Sequence, residues 1–368
     1  MNKQFLRRGM PVCAFLLWAC LFLQKTSIQD MAIKTFLLGI NAATEAKEEF
    51  QWGVLKAATL FPLYHYVQEH KLAAVETEDQ YTYEMILMQQ AFDESVMSED
   101  LVTQSTGPAT PVVQPDFSRE KLRDFNYLLN RFYTVDSTTT IGAEQLNADS
   151  LLSYNLKIDK KTSGPKVLIF HTHSQETFRN SVPGDTNTSI VGVGAYLAEQ
   201  LNAKGVETIH HKGVYDLING KLDRSKAYEL SEAGVREILK QYPSIEVVID
   251  LHRDGVPENL HLVTDVNGKK VAKVMFFNGL SRTKSQGDIA YLKNPYIQDN
   301  LAFSLQMQLE MEETYPGMAR KIYLKGYRYS LHMMPKSLLI EAGAQTNTVE
   351  ETKNAMELLA NVLAEVLL

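Results

Sequence analysis

Residues 166–176 read KVLIFHTHSQE, and this stretch decides the fold that we predict. Its apolar run, Val167 to Phe170, is typical of a buried strand and leads directly into two histidines and a glutamate. Two later stretches have the same form: residues 245–252 read IEVVIDLH, and residues 337–341 read SLLIE. Ligands of an open α/β sheet bind outside the carboxyl ends of its strands. We therefore expect these three strand ends to share one crevice.

Strand and helix patterns alternate from residue 166 onwards. Unbroken apolar runs favour central strands that are covered on both faces, and alternation with helices favours parallel pairing. The predicted strands are 166–170, 206–210, 245–251, 271–277, 321–324 and 337–340, and the predicted helices are 189–204, 225–241, 295–313 and 349–367. We predict an α/β fold with a mixed, mostly parallel central sheet and helices on both faces.

The N-terminal residues predict a membrane anchor. Basic residues at positions 3, 7 and 8 precede a charge-free apolar segment from Met10 to Leu23. Counted over residues 9–28, it approaches the length of about 20 residues that spans a bilayer. A signal-peptide core has a similar length, but no small-x-small cleavage pattern follows here. We predict a cytoplasmic stub (1–8), a transmembrane anchor (9–28) and an extracytoplasmic remainder.

The residues between this anchor and the first predicted strand carry no recognisable chemistry. Residues 30–97 have a polar, helix-like composition, and residues 98–116 are rich in Thr, Ser and Pro, which is typical of a linker. Residues 119–135 again have a helical pattern. We predict a membrane-proximal helical spacer and linker over 29–118 and a catalytic domain over 119–368.

Composition excludes several classes of function. The 368-residue chain has a net charge of −7, which gives no reason to expect nucleic acid as a partner. Its two cysteines are Cys13 and Cys20. Everything after residue 20 therefore lacks a cysteine nucleophile, a disulfide and a Cys-type zinc site.

The polar residues at the three strand ends predict a zinc site. Hydrolytic zinc is held by three His, Glu or Asp side chains with one position open, and His173 and Glu176 (spaced H-x-x-E) with His252 supply such a set. His171 is the alternative ligand, or a hydrogen-bonding partner behind the ligands, because strand alternation would place it on the same side as His173. Glu341 is predicted to be the general base.

Other residues near these motifs leave alternatives open. Arg253 either contacts the substrate, as a carboxylate partner or an oxyanion stabiliser, or forms an ion pair with Asp250 or Asp254. Either aspartate is also suited to orient His252 through its second ring nitrogen.

Two further groupings are weaker candidates. His210, His211 and Asp216 admit a second metal site, although a structural or substrate-contacting role is the commoner outcome. Residues 219–225 are predicted to form a loop that leads into a helix capped by Asp223 or Ser225.

The motifs resemble those of a known family. Residues 170–176 (FHTHSQE), 250–255 (DLHRDG) and 339–343 (LIEAG) resemble the stage II sporulation protein P family. The resemblance covers residues 120–368 and the single N-terminal anchor, whereas residues 30–118 match no family motif. It implies a phosphorylase/hydrolase-like fold of the zinc amidase type. It also implies a zinc-dependent N-acetylmuramoyl-L-alanine amidase that degrades septal peptidoglycan during engulfment in sporulation, with associated endopeptidase activity.

The same resemblance implies residue roles, partners and location. Zinc would be held by His173, Glu176 and His252, with Glu341 handling the protons. The implied partners are a sporulation lytic transglycosylase and a membrane scaffold, and the implied location is the cell membrane, with the catalytic domain between the mother-cell and forespore membranes. Two alternatives remain: a zinc carboxypeptidase-like peptidase and a catalytically inactive membrane-anchored scaffold. The complete set of candidate ligands argues against the scaffold.

Overall fold

The structure is a computed structural model that describes residues 115–368. The predicted stub, the predicted anchor and nearly all of the predicted spacer lie outside these residues. Within residues 115–368, no helix combines the length and the apolar character needed to cross a bilayer.

The described residues form seven α-helices and thirteen strands. The helices are α1 (Arg119–Leu122), α2 (Phe125–Phe132), α3 (Ala148–Leu151), α4 (Ile190–Ala203), α5 (Ala227–Gln241), α6 (Ile297–Thr314) and α7 (Val349–Leu367). The strands are β1 (Tyr133–Val135), β2 (Val167–Phe170), β3 (Thr208–His210), β4 (Leu217–Ile218), β5 (Lys221–Leu222), β6 (Val247–Asp254), β7 (Val263–Val266), β8 (Lys269–Ala272), β9 (Val274–Gly279), β10 (Arg282–Thr283), β11 (Gly287–Asp288), β12 (Ile322–Lys325) and β13 (Ser337–Ala344).

Seven strands form the central sheet, in the order β1-β12-β9-β13-β6-β2-β3. Five of its six neighbouring pairs are parallel, and only β9 and β13 pair antiparallel. This arrangement confirms the predicted mixed, mostly parallel sheet. The strands β2, β6 and β13 are neighbours and run in the same direction, so their carboxyl ends meet at one edge.

Helices cover both faces of the sheet. On one face, Ile169, Leu251 and Ile340 belong to the large core that includes α4, α6 and α7. On the other face, Phe170 and Val248 pack with residues of α5 in a second core. Because alternate residues of a strand share a face, the residues two and four positions beyond Val248 lie on the α5 face. This alternation directs Asp250 and His252 to that face.

The predicted helices are confirmed to within a few residues. The helix α4 begins after Ser189, whose side chain accepts a hydrogen bond from the amide of Val191. The helix α7 begins after Thr348, which forms a capping box with Glu351. Such caps satisfy amides that the first helical turn leaves without partners.

Two predicted elements are wrong. The predicted strand 271–277 is divided at Lys273: β8 forms a separate hairpin with β7, whereas β9 joins the central sheet. The β7–β8 turn contains Asn267 and Gly268, both with positive φ, as a tight hairpin requires. The predicted helix 119–135 is divided into α1 and α2 and ends at Phe132, because the next three residues form the edge strand β1, which pairs with β12. A helical pattern in the local sequence gives no information about pairing with a distant strand.

Two glycines of α4 are required by packing. A Cβ at Gly192 would lie 2.1 Å from the carbonyl oxygen of Asn187, which belongs to the backbone. A Cβ at Gly194 would lie 2.5 Å from Nε2 of His171. The glycines therefore let α4 approach the loop before it and the end of β2.

Gly192→Ala should destabilise the fold by about 1–3 kcal/mol, because the backbone of Asn187 must move and overpacking has costs of this size. This loss exceeds the gain of up to about 1 kcal/mol that alanine brings to a helix. Urea denaturation followed by circular dichroism measures it. Gly255→Ala is the matched control, since its Cβ would meet no atom within 4 Å. Equal denaturation midpoints for both variants would contradict the packing role.

Candidate metal centre

Three of the predicted ligands come together at the edge where β2 and β6 end. One potential ligand atom from each of His173, Glu176 and His252 lies within 4.8 Å of the others, and all three residues are buried. Nδ1 of His173 is 3.6 Å from Oε1 of Glu176, and Nδ1 of His252 is 3.7 Å from Oε2. Ligands bound at about 2.0–2.2 Å to one tetrahedral ion are roughly 3.3–3.6 Å apart. The separations are close to this range, so the three side chains are arranged as candidate ligands of one small divalent cation.

Asp250 orients His252. Its Oδ1 lies 2.8 Å from Nε2 of His252, and it accepts hydrogen bonds from the amide and hydroxyl of Thr172 at 2.9 and 2.7 Å. Although burial acts to raise the pKa of Asp250, His252 and Thr172 hold it below its ordinary value. The charged carboxylate lies beside Nε2 of His252, and Nδ1 faces Glu176. This is one of the two orienting partners that the sequence suggested.

Two neighbouring carboxylates favour the doubly protonated imidazole of His252 when no cation is bound. Burial acts to lower its pKa, but Asp250 and Glu176 raise the pKa well above the ordinary value. A metal ion can replace that proton, because imidazole ligands bind metal in their neutral form.

Glu176 is held as a carboxylate from several sides. Burial acts to raise its pKa, but contacts with His173 and His252 bring the pKa well below its ordinary value. Its Oε2 accepts a hydrogen bond from the amide of Arg253 at 2.9 Å, and Nη2 of Arg224 lies 3.6 Å from Oε1. A negative charge at this position favours cation binding.

His171 lies outside the cluster. Its Nδ1 is 2.7 Å from the carbonyl oxygen of Leu251, and its Nε2 is 2.8 Å from Nε2 of His210. Burial lowers the pKa of His171 to about 4, so the ring is neutral. The expectation that His171 and His173 share a side fails because β2 ends at Phe170. His171 still follows the strand and faces α4, whereas the chain turns before His173.

The second grouping does not form a metal site in residues 115–368. His210 contacts His171, His211 contacts the hydroxyl of Tyr215 at 2.6 Å, and Asp216 accepts a hydrogen bond from Ser174 at 2.7 Å. Each of the three residues thus has a different partner, in line with the structural role that the sequence made the commoner outcome.

Glu341 lies beside the cluster. It pairs in register with His252 across β13 and β6, and its Oε2 is buried without a hydrogen-bond partner. Burial, with Asp254 and Glu176 nearby, raises the pKa of Glu341 to about 8. A carboxyl group with a pKa near neutrality can both accept and donate a proton, which suits acid–base chemistry.

Arg253 contacts the main chain. Its Nε donates to the carbonyl of Thr177 and its Nη1 to the carbonyl of Asp254, both at 3.0 Å. The carboxylate of Asp254 instead pairs with Arg320 at 2.6 Å. Of the two alternatives for Arg253, the ion pair with an aspartate carboxylate is therefore wrong, and the contact with substrate stays a prediction.

Sequence reasoning missed two neighbours of the ligands. Arg224, beside Glu176, belongs to the segment that was assigned only to a loop before a helix. The ring of Tyr228 packs edge-on against His173, with centroids 5.6 Å apart, and Tyr329 packs in turn on Tyr228 at 5.5 Å. The helix begins at Ala227 with Lys226 at its N-cap, so the predicted cap by Asp223 or Ser225 is wrong. No spacing within the sequence linked Arg224 and Tyr228 to the ligands, because His173 and Glu176 lie about fifty residues earlier and His252 about 25 residues later.

In the metal-free protein, Glu341→Gln should increase the free energy of unfolding over that of the wild type, and this gain should grow as the pH rises. The pKa of Glu341 in the fold, about 8, is above its ordinary value of 4.5, so the wild type loses stability between these two values as the pH rises. The amide mimics the neutral acid and avoids that loss. The two proteins should have similar stability at pH 4.5 and differ by on the order of 1–4 kcal/mol at pH 9. Urea denaturation of chelator-treated protein measures this. A pH-independent difference would contradict the raised pKa.

Comparison with solved structures finds several amidases at low similarity. The CwlD amidase from Clostridioides difficile, in complex with the GerS lipoprotein, is 15% identical with a TM-score of 0.33, over 54% of this chain and 94% of that one. The N-acetylmuramyl-L-alanine amidase Ami1 from Mycobacterium smegmatis is 12% identical with a TM-score of 0.33, over 58% of this chain and 96% of that one. TM-scores below 0.5 do not by themselves establish a shared fold.

Sequence comparison gives a clearer result. Stage II sporulation protein P from Bacillus subtilis (strain 168) is 26% identical over 223 residues, which are 56% of this chain and 52% of the relative. The chain thus matches about half of the length of that relative. The family Stage II sporulation protein P (SpoIIP) matches residues 65–364. This match begins within the region 30–118, where no family motif was recognised. Because it covers well over half of the chain, the protein belongs to the Stage II sporulation protein P family.

Proposed function

We propose that this chain is a zinc-dependent peptidoglycan hydrolase that cleaves the amide between N-acetylmuramic acid and the L-alanine of the stem peptide. The observation that carries the proposal is the buried cluster of His173, Glu176 and His252 beside the unpartnered carboxyl oxygen of Glu341. Membership of the Stage II sporulation protein P family supports peptidoglycan as the substrate and sporulation as the setting.

The donor set fits zinc. Two imidazoles and one carboxylate form a ligand set that hydrolytic zinc sites use, with a further position for water or substrate. The buried Nε2 of His173 has no hydrogen-bond partner, so the ring is not held by protein contacts at that atom. When bound, zinc polarises a carbonyl group and lowers the pKa of water towards 7.

The protein groups would handle the protons of the reaction. Glu341, as a carboxylate, removes a proton from the attacking water while the oxygen of that water forms a bond to the carbonyl carbon. As the carbon–nitrogen bond breaks, the same group returns that proton to the alanine nitrogen. One acid thus serves both steps. The carboxylate of Asp250 maintains the orientation of His252 throughout.

The location and partners are part of the same proposal. The apolar segment 9–28 would anchor the chain in the cell membrane, with the catalytic residues outside the cytoplasm, between the mother-cell and forespore membranes during engulfment. A lytic transglycosylase and a membrane scaffold of the sporulation machinery would be its partners, and crosslinked stem peptides a second substrate. The basic residues before the segment and the family membership support this proposal.

Two substitutions should separate metal binding from turnover. His252→Ala removes a ligand, so zinc content and activity should both be lost. Glu341→Gln should retain zinc and lower kcat by about 10²–10⁴-fold, the usual contribution of a general acid–base. Zinc is measured by elemental analysis and turnover on purified sacculi. Glu199→Gln, an exposed acid of α4, is the control. Normal turnover by Glu341→Gln would show that another group is the base.

Product analysis should identify the bond that is cleaved. Digestion of purified sacculi should release intact stem peptides and leave glycan with free lactyl groups, which mass spectrometry distinguishes. Release of single terminal amino acids would instead support the carboxypeptidase-like alternative. Stable folded protein that binds no zinc and releases no products would support the inactive scaffold.

A further inference from the structure

A short hairpin is fixed to the loop that carries the candidate metal ligands. We define it, with its flanks, as the flanking hairpin, residues 212–226, which contains β4 and β5. Asp216 at its base is fully buried, and its carboxylate accepts hydrogen bonds from the hydroxyl of Ser174 at 2.7 Å and the amide of Gln175 at 3.0 Å. Its carbonyl accepts from the amide of Asp223 at 2.9 Å. The base of the hairpin is therefore hydrogen-bonded to the two residues between His173 and Glu176.

The chain after the hairpin contacts the ligands themselves. Arg224 lies 3.6 Å from Glu176, and Tyr228, one residue into α5, packs on His173. The turn residues Asn219 and Gly220 have φ of 51° and 76°, which suits the tight turn that matches the twist of paired strands. The flanking hairpin is thus an ordered ribbon that stands beside the candidate metal centre.

This ribbon exposes an apolar face. Leu217 and Leu222 are directly opposite each other in the β4–β5 pairing, so their side chains share one face. They are 40% and 61% exposed, and Val214 is 53% exposed. Leu230, in the first turns of α5, is 42% exposed. Of the seven large hydrophobic residues that are exposed in residues 115–368, four lie between positions 214 and 230. The paired leucines thus give the ribbon an exposed apolar face that can contact a ligand.

The same segment is basic in an acidic protein. Lys212, Lys221 and Lys226 are exposed, and Arg224 is near Glu176. With two acids, Asp216 and Asp223, the segment has four cations against two anions. With a net charge of −7 for the whole chain, this local excess of cations is complementary to a carboxylate-bearing ligand.

We propose that the flanking hairpin binds the stem peptide of the substrate, an inference that rests on the function proposed above. The stem peptide carries short aliphatic side chains and free carboxylates, which match the leucine face and the lysines. The amide to be cleaved is at the start of that peptide, so the rest of the peptide extends away from the metal centre. The hairpin is hydrogen-bonded to Ser174 and Gln175 and lies beside the candidate metal centre, so it is in position to bind the peptide.

The test compares binding to sacculi in a chain that cannot turn over. Leu217→Ser and Leu222→Ser are combined in the full chain, with zinc bound and Glu341→Gln present, and binding is measured by co-sedimentation with purified sacculi. We expect the apparent Kd to rise about tenfold, with zinc content unchanged. Tyr291→Ser is the matched control, because Tyr291 is 54% exposed and lies between β11 and α6, outside the hairpin. Its Kd should equal that of the parent.

A second variant and a second ligand make the result specific. Lys221→Glu with Lys226→Glu should also weaken binding to sacculi, and the loss should shrink at high salt. On glycan strands stripped of stem peptides, parent and variants should bind equally. Unchanged binding of both hairpin variants to intact sacculi, or an equal loss on stripped glycan, would overturn the inference.

The test also distinguishes this inference from the proposed function. If the chain with Glu341 intact releases amidase products and the hairpin variants have the parent's KM, the hairpin inference is wrong and the amidase proposal stands. If no amidase products appear but the hairpin variants still lose binding to intact sacculi, the amidase proposal is wrong and the peptide-binding role stands.

Discussion

The candidate metal centre depends on the hydrogen-bonded register between β6 and β13. This register sets His252 opposite Glu341, and the alternation of each strand directs both side chains to the α5 face of the sheet. A slip of one residue would turn every side chain of the moved strand to the opposite face, where the α4, α6 and α7 core has no room for a charge. The apolar residues of β6 and β13 therefore fix the position of the polar ones, because a slip of one residue would bury polar side chains such as His252 in the apolar core.

Burial gives these polar residues their chemical properties. Asp250, His252 and Glu176 are each at most 3% exposed, and they tolerate burial because each contacts a group of opposite charge or a hydrogen-bond donor. Glu341 differs, because one of its oxygens has no partner and Asp254 and Glu176 are close by. Burial, together with these two carboxylates, raises the pKa of Glu341. The neighbouring charge of Asp254 is itself balanced by Arg320, which keeps the environment of Glu341 from becoming still more unfavourable to a carboxylate.

The loop of residues 173–176, which carries two candidate ligands, is also held by contacts from outside the sheet. Asp216 of the flanking hairpin binds Ser174 and Gln175, the two residues between His173 and Glu176. The main-chain amide of Arg253 binds Glu176 from the side of β6. A short H-x-x-E loop has no regular secondary structure of its own, so contacts of this kind fix the positions of its side chains. The element proposed to hold the stem peptide thus also supports the candidate ligands.

The sequence by itself determined the α/β class, the strands that bring His173, Glu176, His252 and Glu341 to one edge, and the terminal helix over residues 349–367. Apolar runs and helical periodicity indicate which residues of a single strand or helix are buried. The carboxyl ends of neighbouring parallel strands always lie at the same edge of a sheet. Only the tertiary structure decided what depends on neighbours distant in the sequence. It separated His171 from His173, since the point where β2 ends is set by its pairing with β6. It divided the predicted strand 271–277 at Lys273, since one part pairs with β7 and the other with β13. It also brought Arg224, Tyr228 and Asp216 to the ligands, because contacts across about forty to fifty residues leave no periodic signal in a single sequence.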